Sequence, residues 1–166
     1  MEEATTDYIP LRRARIDVVA LLRSSLDALE RQAREQDVEL RVDASGAIEA
    51  SIDAEKIAWA VTALAGNALR YVHKGTRRMP GGSIVVSVRS DDSKQLTIAV
   101  QDDGPGIPKE KRDLLFVRAR ERARGAGLAL MLVQDVLTAH RGTIDVASET
   151  SGENRGTTVT LSLPLS

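Results

Sequence analysis

Gln101-Asp102-Asp103-Gly104-Pro105-Gly106-Ile107-Pro108 is the stretch on which the reading of this 166-residue chain turns. It closes an alternating run in which Leu96, Ile98 and Val100 point one way and Thr97, Ala99 and Gln101 the other, the period of a half-buried strand. Two acids follow, then two glycines one residue apart, then a helix-compatible segment. Glycine lets backbone approach a ligand where a Cβ would obstruct it. An acid at a strand end can accept hydrogen bonds from a ligand's amino group. The same residues also make an ordinary tight turn, so by itself the octapeptide leaves turn and ligand site equally open.

Working outward, Ile84, Val86 and Val88 alternate as a strand that the Ser90–Lys94 turn joins to the first. Asp53 reads as the N-cap of a long helix reaching about Val72, with Ile57, Val61, Leu64, Ala65, Ala68 and Val72 on its core stripe. The basic loop His73–Gly82 follows it. Val38, Leu40 and Val42 alternate, as do Ile48, Ala50 and Ile52 beyond the Asp43–Gly46 turn, which predicts a hairpin. Leu11 to about Gln36 reads as one helix, with Val19, Leu22, Leu26, Leu29 and Ala33 on a stripe, behind a loose leader over residues 1–10. Downstream of the octapeptide the pattern gives a short helix to about Leu115 and an arginine-rich stretch, Arg118–Arg124. A helix from Gly125 to near His140 comes next, then a strand with Ile144 and Val146, the polar loop Glu149–Gly156 and a last strand with Val159, Leu161 and Leu163. Hairpins outnumber crossovers, so the expected class is α+β: a two-layer sandwich with a mixed, mainly antiparallel sheet and helices on one face, residues 11–166 forming one domain.

Composition narrows the function classes. With 23 Lys and Arg against 24 Asp and Glu there is no overall field to draw nucleic acid or an anionic membrane. Aromatic residues are 2% of the chain, too few for a platform on which bases stack. The absence of cysteine excludes disulfides and thiolate metal sites. No apolar run approaches the roughly 18–20 residues of a membrane span. The expectation is a soluble, cytoplasmic segment without nucleic-acid or membrane contact.

Three further features stand in order around the octapeptide. Asn67, in Gly66-Asn67-Ala68-Leu69-Arg70-Tyr71, lies off the apolar stripe on a face shared with Ala63, Arg70, Tyr71 and Lys74. A lone Asn there is ordinarily a surface residue. Gly125-Ala126-Gly127-Leu128 opens a helix, where free N–H groups and the dipole favour phosphate, although Gly-x-Gly is often only a joint. Gly156-Thr157-Thr158 starts the last strand. Taken together these features resemble the Bergerat-type ATP-binding fold shared by sensor histidine kinases, DNA gyrase, the Hsp90 chaperones and MutL. The chain looks most like the catalytic, ATP-binding domain of a bacterial sensor histidine kinase, from about Leu11 to Leu165. Asp53–Tyr71 resembles the family's N box, Asp102–Pro108 its first glycine box, Arg112–Phe116 the start of its F box and Gly125–Leu130 its second glycine box. Ala139-His140-Arg141-Gly142 and the Gly156 to Pro164 strand are similar to its C-terminal end.

The resemblance implies roles. Asp102 would accept from the adenine 6-amino group, with Gly104, Gly106 and Ile107 against base and sugar. Asn67 would give its amide oxygen to Mg²⁺, a hard cation that takes oxygen ligands. Arg70, where the family usually has Lys, would reach a phosphate, and Tyr71 would line the pocket. Gly125, Gly127 and Leu128 would present N–H groups to the phosphates, and Thr158 would sit near the adenine. Asn67 and Arg70 are thus the expected catalytic residues, with ATP and Mg²⁺ as cofactors.

The sequence also departs from the family's pattern. Ala63 stands where histidine kinases usually carry a second Asn, and where gyrase-like hydrolases and anti-sigma serine kinases carry a Glu that serves as general base. Alanine neither ligates metal nor takes a proton, which disfavours those two classes and thins the metal site. Ala119 replaces the second Phe of the F box, and the span from Phe116 to Gly125 allows only a short lid. Neither His73 nor His140 has the acidic helical context of a phosphoacceptor, and residues before Leu11 are too few for a two-helix phosphoacceptor hairpin. The expected activity is therefore γ-phosphoryl transfer from Mg-ATP to a histidine on a separate dimerisation and phosphoacceptor domain, of the same or another chain, with a response regulator downstream. A degenerate, non-catalytic nucleotide-binding module is the alternative.

Overall fold

The strand that ends in the octapeptide is the middle strand of the molecule's main sheet. The computed structural model describes residues 9–76, 79, 81–92, 94–112 and 126–166. Its elements are β1 (Ala14–Asp17), α1 (Val18–Ser25), α2 (Asp27–Glu35), β2 (Glu39–Asp43), β3 (Glu49–Ile52), α3 (Ala54–Tyr71), β4 (Ser83–Asp91) and β5 (Gln95–Asp102). Then come α4 (Lys109–Arg112), α5 (Ala126–Ala139), β6 (Thr143–Glu149) and β7 (Gly156–Pro164). The five-stranded sheet runs β2-β4-β5-β7-β6, antiparallel except for the parallel β2–β4 pair. Leu96, Ile98 and Val100 of β5, Ile84, Val86 and Val88 of β4, and Leu161 and Leu163 of β7 are all buried on the face covered by the helices. The architecture is the expected α+β sandwich.

Two N-terminal expectations are corrected. Leu11–Gln36 is not one helix: β1 precedes α1, and the helical path breaks at Leu26 (φ −91°, ψ 0°). Asp17 ends the strand and caps the helix, accepting from Val19 N at 3.0 Å and Ala20 N at 3.4 Å. A four-residue strand is too short to display a period, and the helical stripe beginning at Val19 concealed it. β2 and β3 do not form a hairpin either. β3 pairs antiparallel with β1 in a separate two-stranded sheet, while β2 pairs parallel with β4 through a crossover that contains α3. Alternation reports that a segment is a strand and not which partner it takes.

Helix α3 is held at its start by a buried knot. Asp53 caps it, accepting from Lys56 N at 3.1 Å and from the Arg12 backbone N–H at 2.9 Å. His140, 1% exposed at the end of α5, accepts from Asp53 N at 3.1 Å and donates from Nδ1 to the Val136 carbonyl at 2.8 Å. Burial works to raise the Asp53 pKa, but these N–H donors and the Lys56 ammonium outweigh it and hold the carboxyl below its ordinary value. The knot ties together the two helices that border the cavity described next.

Candidate functional site

The pleat of β5 decides what stands at its end. Leu96, Ile98 and Val100 face the helices, so two residues on, Asp102 turns its side chain to the same side, at the mouth of the helix–sheet interface. The carboxylate accepts from Gly104 N at 2.8 Å and from the Thr157 backbone N–H. Burial raises its pKa, Asp103 adds to the rise, and the two N–H donors oppose it. The residues of the opening octapeptide are thus a turn and a cavity wall at once.

That cavity holds about 430 Å³, within the size range of small-ligand sites. Helix α3 contributes Asn67, Ala68 and Tyr71; the octapeptide contributes Asp102, Gly106 and Ile107. Leu130 of α5 and Val146, Thr157 and Val159 of β6 and β7 complete a mostly apolar lining. Apolar walls with one anchored carboxylate suit a flat heterocycle bearing an amino group. Three residues to which the sequence reading gave no role matter here. Thr157 rather than Thr158 faces the cavity, since the parity of Val159, Leu161 and Leu163 carries inward to 157; Thr158 pairs with Gln101 on the opposite face. Lys111 of α4 lines the rim. Ser148, buried on β6, accepts from Ile107 N at 2.7 Å, lies 2.8 Å from the Thr157 hydroxyl and donates to the Gly156 carbonyl at 2.9 Å, which fixes the loop wall.

Gly106 has a different justification from the one its position implied. At φ +79°, an added Cβ would collide with the Glu149 carbonyl at the end of β6, so the demand for glycine comes from protein packing. Gly104 is buried and supplies the N–H that anchors Asp102.

Asn67 is half-buried at the cavity's other end beside Tyr71, which is 57% exposed. Arg70 is exposed and lines the groove between α2 and α3 instead of this cavity, with Asn67 facing both. Gly127 and Leu128 lie in the first turn of α5. Gly125, the arginine-rich stretch and the end of the helix expected to reach Leu115 lie outside the described residues. No group of three His, Cys, Asp or Glu that could hold a metal occurs among the described residues, which leaves the Asn67 amide as the oxygen donor the resemblance nominates. Among the described residues no helix is long and apolar enough to cross a membrane.

Residues 52–166 match the family model described as "Histidine kinase-, DNA gyrase B-, and HSP90-like ATPase", and the chain belongs to that family. Among curated relatives, the signal transduction histidine-protein kinase/phosphatase MprB of Mycolicibacterium smegmatis is 33% identical over 155 residues, covering 90% of this chain and 30% of its own length. The solved mycobacterial sensor histidine kinase MprB superposes with a TM-score of 0.74 at 26% identity, covering 92% of this chain and 97% of that one. Full-length ShkA in complex with AMPPNP gives a TM-score of 0.79 at 24% identity, covering 95% of this chain and 32% of that one, a likeness of fold. The chain spans about a third of the length of the curated relatives it matches.

Proposed function

We infer that this chain is the ATP-binding catalytic unit of a sensor histidine kinase. It takes up ATP with Mg²⁺ and passes the γ-phosphoryl group to a histidine nitrogen on a phosphoacceptor domain of the same or another chain, leaving ADP, with a response regulator as the eventual recipient. The observation that carries this reading is the Asp102 carboxylate, held by Gly104 N–H at the mouth of a 430 Å³ apolar cavity, in a chain whose relatives over 90% of its length are sensor kinases.

Each residue's task follows from its chemistry. Asp102 accepts from an exocyclic amino group and repels a carbonyl oxygen, which selects adenine over guanine. Ile107 and Val159, which line the cavity, would give the base apolar contact. Arg70 neutralises phosphate charge, bidentately where geometry permits. Asn67 would hold Mg²⁺, which supplies neutralisation of the charge on the transferring group. Catalysis of this kind is positioning and electrostatics, and needs no base on this chain.

A second reading, a nucleotide-binding module that signals without phosphotransfer, is favoured by Ala63, which brings neither ligand nor base to the Asn67 face. Calorimetric titration of ATP and ADP with and without Mg²⁺, followed by labelled ATP and an isolated phosphoacceptor hairpin, separates the two. Label on the hairpin histidine establishes the kinase. Nucleotide binding with no transfer establishes the module.

A further inference from the structure

The two buried ionisable side chains among the described residues, Asp53 and His140, lie outside the nucleotide cavity and take no part in handling its ligand. Their hydrogen bonds leave one assignment of protons. The Val136 carbonyl can only accept, so His140 Nδ1 carries a proton; the Asp53 N–H can only donate, so Nε2 carries a lone pair. The ring is held neutral and in one tautomer. A second proton would sit on Nε2 and meet the Asp53 N–H donor against donor. What it would disturb reaches beyond the two helices. Asp53 Oδ2 accepts from the backbone N–H of Arg12 at 2.9 Å, a bond across 41 positions that ties the chain entering β1 to the cap of α3. The other fastenings of this strap, residues 9–17, are lighter. β1 pairs only with β3, and a two-stranded sheet is marginal by itself. The Arg15–Glu49 pair at 3.0 Å and the Arg13 bond to the Ser51 carbonyl at 3.1 Å are exposed and contribute little. Ile9 and Ile16 are only partly buried against the core.

We propose that the Asp53–His140 knot is a proton-operated clasp on the N-terminal strap: with His140 neutral the strap is fastened to α3, and with His140 protonated Arg12 is released and residues 9–17 loosen while the five-stranded sheet stays folded. The charges that act on the ring decide which bond gives way. Arg13 of the strap and Lys56 of α3 repel an imidazolium, and the Asp53 carboxylate attracts it. Asp53 Oδ1 is committed to the Lys56 backbone N–H within the same helix. Oδ2, shared by the Arg12 N–H and the Lys56 ammonium at 3.3 Å, is the oxygen an imidazolium can claim. Lys56 reaches Asp53 from three residues away, whereas Arg12 is held there against the chain entropy of the whole strap, so the Arg12 bond yields first. Burial and the two cations delay protonation, which sets release below the ordinary histidine value of 6.5. The same knot caps the helix that carries Asn67, so the clasp couples the strap's attachment to the mounting of α3.

Amide hydrogen exchange of the 166-residue chain, read by mass spectrometry and corrected for the intrinsic effect of pH, reports on the strap directly. Between about pH 7.5 and about pH 5.5, peptides covering residues 9–17 should lose about tenfold or more of their protection, while Gln95–Asp102 at the sheet's centre keeps its own. Variants locate the proton. His140→Gln should abolish the pH dependence, and His73→Gln, which alters the other of the two histidines, should leave it in full. Asp53→Asn has one oxygen for two N–H groups, so its strap should exchange fast at both pH values. Should His140→Gln not fold, the NMR titration of the His140 ring in the parent decides instead: its midpoint must coincide with that of strap release. A strap whose exchange ignores pH overturns the proposal. So does a pH effect that persists in His140→Gln or disappears in His73→Gln, or a pair of midpoints that differ. Loosening of Gln95–Asp102 in step with the strap overturns it too, since the event is then global unfolding.

Discussion

The two ends of the cavity are built to different standards. At the Asp102 end the groups that shape the wall are tied: the carboxylate takes N–H donors from Gly104 and Thr157, and Ile107 N is held by the buried Ser148 hydroxyl. At the Asn67 end the side chains are half-buried or exposed, Ala63 leaves a gap, and no carboxylate cluster stands nearby among the described residues. A preorganised end selects what binds, because its geometry costs nothing at the moment of binding. A loosely built end depends on what the ligand, a metal or a partner brings. Base recognition is therefore expected to be strong and partner-independent, and phosphate handling weak until a partner completes it.

The largest effect should come from breaking the tied end. Asp102→Ala removes a charged acceptor and strands two N–H groups, so ATP affinity is expected to fall about 100-fold or more in calorimetry, with the fold intact by circular dichroism. Discrimination against GTP should shrink in the same variant. Unchanged affinity would falsify the assignment of this end to adenine.

How much of this contrast was legible in the sequence follows from the range of each signal. The Asp102 end is local: one strand's parity and one turn place the carboxylate, and the same parity on β7 names Thr157, although the motif resemblance pointed to Thr158. Ser148 was invisible, because its importance comes from Ile107, 41 positions away, and a buried serine carries no pattern of its own. The β1–β3 pair was missed for a similar reason, with β1 four residues long and its partner 38 positions on at Ile52 and Ala14. Long, periodic α3 was read to within a residue or two, since its stripe and its Asp53 cap agree.

The loose end can be degraded and improved. Asn67→Ala is expected to cost about tenfold in ATP affinity when Mg²⁺ is present and little when it is chelated; an equal loss in both conditions would remove Asn67 from the metal. Ala63→Asn works in the other direction. It adds a second amide oxygen one turn before Asn67 on the same helix face, at a half-buried position bordered by open space, so it should raise Mg²⁺-dependent affinity several-fold without disturbing packing. If the variant binds no better with Mg²⁺ than without, the gap at 63 is not what weakens this end.

The smallest expected effect tests whether the knot at the start of α3 supports both ends alike. Burial lowers the His140 pKa, and the charges of Arg13 and Lys56 add to this, while the hydrogen bond to Val136 and the Asp53 charge oppose it. The unfolded chain takes up a proton near 6.5, whereas folded His140 resists it. Its contribution is therefore complete above 6.5 and is lost as pH falls from there toward the lower folded value. The Asp53 carboxyl, held below its ordinary 3.8, loses its contribution only in stronger acid, so the two windows separate. Thermal melts from about pH 7.5 to about pH 5 should show Tm declining in the parent and flattened in His140→Gln, which keeps a polar group but does not titrate. ATP, binding only the folded chain, should raise Tm at every pH in this range without changing which variant carries the slope. A pH slope identical in parent and variant would place the titration elsewhere and leave the knot a purely structural clasp.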